Sequence, residues 1–195
     1  LQLMMMTQTV AMMKKILKNK IEKLLSKEYF CMPAQLNQKG TIYSIHATAK
    51  QPYIKILAYR NCTVVCTSKD LSENIQKLLQ DKNRDEMFEL PFVYGQTIHY
   101  IPDHKVSDNR SMPPNYQYKF FPEKEISALN GLTGFENSLA FDEQGMTPTK
   151  AACIAENNGK IIGAAGAAET SVSGILEVGV DVMEQYRNAG LGTYL

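Results

Sequence analysis

Residues 175–195 read Ile-Leu-Glu-Val-Gly-Val-Asp-Val-Met-Glu-Gln-Tyr-Arg-Asn-Ala-Gly-Leu-Gly-Thr-Tyr-Leu. The stretch opens as a strand: Leu176, Val178, Val180 and Val182 recur at period two, with Glu177, Gly179 and Asp181 between them. A polar turn follows at 183–186, and Arg187-Asn188-Ala189-Gly190-Leu191-Gly192 leads into a predicted helix start near Ala189. Strand, glycine-bearing turn and helix start make an anion site, because the first helical amides have no internal partner. Glycine at 190 and 192 is expected to let a diphosphate approach the backbone, and Arg187 to add a charge-assisted contact.

Working outward, two apolar runs at 151–156 and 160–168 are joined by Asn157-Asn158-Gly159, and Asn-Gly between such runs predicts a β-hairpin. Gly163-Ala164-Ala165-Gly166-Ala167-Ala168 lies inside the second run. It lacks the Gly-x-Gly-x-x-Gly order of a dinucleotide loop, so its small residues are expected to admit close packing of a helix or ligand. Further upstream, 116–121 reads as a strand and 123–129 as a short helix introduced by Pro122.

Hairpin, third strand, then Arg-x-x-Gly-x-Gly at a helix start resembles the GNAT superfamily of N-acetyltransferases over roughly the last 80 residues. The matching residues are Val180-Asp181-Val182 and Arg187 through Gly192, with Met183 where many relatives carry proline and Asn188 where glycine is frequent. The resemblance implies that acetyl-CoA is the cosubstrate. Its pyrophosphate would sit on the amides of Asn188, Ala189, Gly190, Leu191, Gly192 and Thr193, with Arg187 alongside. Its pantetheine arm would pair with the backbone of Val180 and Val182, while the Asp181 side chain alternates to the opposite face. The resemblance also makes Glu177 the candidate base that takes a proton from the acceptor, a primary amine of small-molecule or peptide origin. Tyr186 and Tyr194 are not assigned as the acid.

The sequence stops three residues after Gly192, which in this family would leave the helix and the following strand-helix-strand half absent. The expectation is a truncated, poorly active N-acetyltransferase, with a non-catalytic remnant or interaction module as the alternative. A strand at 175–183 left without its outer neighbour would also offer an apolar edge for self-association.

The remaining chain is read as an N-terminal α+β domain at 1–101 and a proline-bounded polar linker at 102–115, ahead of the incomplete acetyltransferase domain at 116–195. The overall class is therefore α+β, with mixed, mostly antiparallel sheets. Residues 10–28 form a basic amphipathic helix whose stripe of Met13, Ile16, Leu17, Ile21, Leu24 and Leu25 is expected to pack a core, with its lysines in solvent and no membrane partner, rather than to meet a membrane surface or a calmodulin-like protein. Strands follow at 41–48, 53–59 and 62–67, the last two joined by Arg60-Asn61. A helix is predicted at 70–80, capped by Ser68 or Asp70 and buried through Leu71, Ile75, Leu78 and Leu79. One more helical turn at 81–89 and a short strand at 97–101 complete the domain.

A formal net charge of +1 provides no global field for nucleic acid. No apolar run reaches the length of a bilayer span, and no basic residue precedes the apolar N-terminus as in a secretory leader, so the expected location is cytoplasmic. Cys62 and Cys66 share a strand face about 13 Å apart, too far to bridge, and with Cys31 and Cys153 they are expected to be reduced thiols. His46, His99 and His104 form no ligand spacing with them, so no metal is expected.

Overall fold

The computed structural model describes residues 2–93, 95, 97–101 and 111–195, with the side chains of 2–11 outside the description. The protein is α+β and divides into two compact units, Leu1–Lys105 and Val106–Leu195. Of the linker expected at 102–115, residues 102–110 lie outside the described residues.

In the first unit, helix α1 (Gln2–Glu28) and a 3-10 helix (Pro33–Asn37) precede three strands, β1 (Gly40–Ile45), β2 (Ile54–Tyr59) and β3 (Cys62–Thr67). The sheet order is β1-β3-β2, with β3 parallel to β1 and antiparallel to β2. All six residues of β3 are buried because both faces are covered. Cys62, Val64 and Cys66 pack with Tyr29 and Leu36, while Val65 packs with Leu79 and Met87. All four cysteines are free thiols.

Helix α2 (Ser72–Leu79) starts later than the sequence pattern predicts, with Leu71 at its N-cap and no side-chain cap. Ser68 is occupied elsewhere, since its hydroxyl accepts the Tyr53 amide at 3.1 Å. Leu79 is fully buried, but Leu78 projects outward because the helix has only two turns and one buried face. Helix α3 (Arg84–Phe88) is the extra turn, held by a reciprocal cap between Asn83 and Glu86. Residues 97–101 form no strand. Ile98 and Tyr100 are 74% and 88% exposed, so the apolar alternation there has no packing surface to register against.

The second unit is an antiparallel sheet in the order β4 (Gln117–Pro122), β5 (Thr149–Asn157), β6 (Lys160–Glu169), β7 (Leu176–Val182). Asn158 and Gly159 both take positive φ, 50° and 75°, as a two-residue hairpin turn between β5 and β6 requires. One sheet face is closed by the 3-10 helix Glu123–Leu129 and the chain after it: Ile126, Leu129, Phe135 and Leu139 pack on Phe121, Ala152, Ile154 and Ala164. The other face carries helix α4 (Leu191–Tyr194), whose Leu191 is buried with Ala155 and Ile162. A 3-10 turn, Glu184–Tyr186, links β7 to it.

Candidate functional site

β7 is an edge strand: it pairs with β6 alone among the described strands. The Met183 amide donates to the Ile162 carbonyl at 2.9 Å, and Val182 stands opposite Gly163. In an antiparallel ladder this makes Val182–Gly163 a non-hydrogen-bonded pair, and the alternation gives Val180 and Val178 the same character. The backbone N–H and C=O groups of Val178, Val180 and Val182 therefore point away from the sheet. One of them is already engaged, since Arg187 Nε donates to the Val182 carbonyl at 3.0 Å.

The chain then turns through two left-handed residues, Asn188 at φ 63° and Gly190 at φ 77°. Among the described residues the amides of Asn188, Ala189, Gly190, Leu191 and Gly192 find no backbone acceptor. The Thr193 amide differs from them in turning back to the Gly190 carbonyl at 3.2 Å. The two glycines also part roles. A Cβ at Gly190 would meet nothing within 4 Å, so glycine is needed there for its backbone angle and faces open space. A Cβ at Gly192 would come within 3.3 Å of the Val182 side chain, so that glycine seats α4 against the strand.

Asp181 lies on the opposite face, as strand alternation requires. Its carboxylate accepts from Asn137 Nδ2 at 2.7 Å, the Ser138 amide at 2.8 Å and Ser138 Oγ at 2.9 Å. The segment it holds passes directly over two glycines that face each other across β6 and β7, Gly166 and Gly179. A Cβ on Gly166 would collide with the Ser138 carbonyl oxygen, and one on Gly179 with that of Asn137. Asp181 therefore positions a segment. The only sequence trace of this clamp is glycine inside strands, which marks close approach without naming what approaches.

Glu177 is exposed and shares the face of Gly179 and Asp181, opposite Ala168 and two strands from Thr149. It stands five residues before Val182, about 17 Å along an extended strand. Tyr186 and Tyr194 have structural partners: Tyr186 Oη accepts from Asn157 at 3.3 Å, and the Tyr194 ring meets that of Tyr118 edge-on at 4.7 Å. A hollow of about 400 Å³ lined by Phe141, Asp142, Met146 and Pro148 opens beside the start of β5, away from the amide row. Among the described residues no three His, Cys, Asp or Glu side chains stand close enough to hold a metal ion.

Comparisons of the chain with protein-family models, with curated proteins and with solved structures find no match.

Proposed function

We propose that residues 116–195 are the coenzyme-binding portion of a GNAT-type N-acetyltransferase that moves the acetyl group of acetyl-CoA to a primary amine. One observation carries this reading: an edge strand with outward-facing N–H and C=O groups runs directly into five amides without backbone acceptors. The amides of Asn188 to Gly192 bind the pyrophosphate through the open side of Gly190. The pantetheine arm adds to β7 as an extra strand on the Val180 amide and carbonyl and the Val182 amide. The Val182 carbonyl stays with Arg187, which stands where the strand edge meets the amide row.

In this reading the acceptor ammonium, with an ordinary pKa of about 10.4, first loses a proton to Glu177, directly or through water. The amine nitrogen attacks the thioester carbonyl carbon, the C–S bond breaks as the amide forms, and the proton that the attacking nitrogen sheds passes to the leaving coenzyme thiolate.

Calorimetry with acetyl-CoA on the whole chain tests the proposal. Gly190→Val is a poor probe, because its φ of 77° strains any β-branched residue whether or not coenzyme binds. Ala189→Glu is better: the residue is exposed and non-glycine, and the new carboxylate would oppose the pyrophosphate. We expect the parent to bind and this variant to bind at least tenfold more weakly with its fold unchanged. Equal binding by both would overturn the amide-row assignment.

A second reading is favoured by Leu176 and Val178, which are 51% and 65% exposed on the same edge strand. Here the chain is an interaction module that pairs with a second copy through β7. Self-association without coenzyme binding supports this reading. Dissociation of such a dimer by acetyl-CoA supports the first, since both occupants need the outward groups of Val180.

A further inference from the structure

Among its described side chains, helix α1 is buried on its unit in its last turns. Glu22 and Ser26 are buried and Leu25 is half-buried against the cluster of Tyr29 and Leu36. The Glu22 carboxylate accepts from Asn37 Nδ2 at 3.2 Å and the Tyr59 hydroxyl at 3.3 Å. Ahead of this anchor Met13 and Ile16 of the expected core stripe are exposed, while Leu17 and Ile21 are half-buried. Met12, Met13 and Ile16 are 65%, 49% and 45% exposed.

At 3.6 residues per turn these three side chains fall within an arc of about 100°, on the side of the helix away from half-buried Ile21 and Leu25. Lys20, Lys23 and Lys27 continue the same arc further along. The whole helix carries six lysines against Glu22 and Glu28, and none of its first 20 residues is acidic.

We propose that α1 lies along an anionic lipid surface, with Met12, Met13 and Ile16 at the headgroup boundary and Lys15 and Lys23, which border that strip, on lipid phosphates. Charge complementarity selects this occupant over a second copy, since two such helices would set lysine against lysine. Area selects it over a folded acidic protein. Specific protein interfaces take about 800 Å² from each side, more than this narrow strip presents, whereas a surface-lying helix needs only a short apolar face flanked by cations. Unbranched methionine also adapts to an irregular acyl boundary. The helix lies on the surface and does not span it: no described helix is long and apolar enough to cross a membrane.

Co-sedimentation of the whole chain with vesicles is the test, using phosphatidylcholine alone or with one-third phosphatidylglycerol. We expect binding to the anionic vesicles at least tenfold tighter than to the neutral ones, and reversed as salt rises from ~0.1 to ~0.5 M. Lys15→Gln and Lys23→Gln should each weaken it about fivefold. The triple variant Met12→Ser, Met13→Ser, Ile16→Ser should weaken it at least tenfold while the far-ultraviolet spectrum and the coenzyme titration stay as in the parent. No vesicle binding, or equal binding to both vesicle types, would overturn the proposal. So would a dimer in sedimentation velocity that the triple variant abolishes, which would assign the strip to a second copy.

Discussion

Gly166 and Gly179 show how much of a fold one missing atom can hold. They face each other across β6 and β7, and the backbone of Asn137 and Ser138 lies where their Cβ atoms would be. Either Gly166→Ala or Gly179→Ala must lift that segment off the sheet, breaking its contact with Asp181. Overpacking against backbone, which cannot swing aside as a side chain can, sets the expected loss at about 3 kcal/mol. Asp181→Asn keeps the shape, but it removes the charge and sets an NH2 donor where the carboxylate oxygen accepts from Asn137, and should cost about 1.5–3 kcal/mol. Urea denaturation followed by far-ultraviolet dichroism measures both. A loss under ~0.5 kcal/mol for either glycine variant would mean that the segment does not sit on these glycines. The sequence shows that small residues recur in the strand at 160–168, but not what rests on them. The clamp joins residues 43 apart, and no local period reports such a contact.

At the scale of elements, the period-two pattern at 176–182 and the Asn-Gly pair at 158–159 are legible because the strand and the hairpin turn are local chemistry. Elements whose limits depend on neighbours are less so. The pattern at 97–101 has no surface to pair with, and Leu78 falls on the wet side of a two-turn helix. For β7 the ladder alternation has a direct consequence. The amides of Val178, Val180 and Val182 point outward and should exchange with solvent fast, while those of Gly179 and Asp181, directed at β6, exchange slowly. A proline at an outward position removes no ladder hydrogen bond. Val180→Pro should therefore leave the sheet folded while removing one donor for the pantetheine arm or for a second copy. Gly179→Pro should unfold it. If both prolines were equally disruptive, or if the Val180 and Gly179 amides exchanged at the same rate, the edge would already be covered.

Across the whole molecule the two units differ in what their cores are made of. In the first, burial is the leading cause that raises the pKa of Tyr29, Cys31, Tyr43, Tyr53, Tyr59, Cys62 and Cys66. In the second, among the described residues, it raises only Tyr118 and Cys153. Thiols and phenols are neutral when protonated, so a raised pKa means that the folded chain keeps protons which the unfolded chain releases. Their contribution is complete below the ordinary thiol range and is lost as pH rises through the folded values. Stability of the first unit should accordingly hold near pH 7 and fall from about pH 8.5 upward, more steeply than that of the second. The buried Cys62 and Cys66 should also resist thiol reagents until the unit opens, because only the thiolate reacts. Amide exchange resolved along the chain between about pH 7.5 and 10.5, corrected for intrinsic rates, separates the two units. Protection in β3 should drop by a larger factor than protection in β5 and β6. An equal drop, or an earlier one in the second sheet, would show that the buried thiols and phenols of the first unit do not govern its alkaline stability.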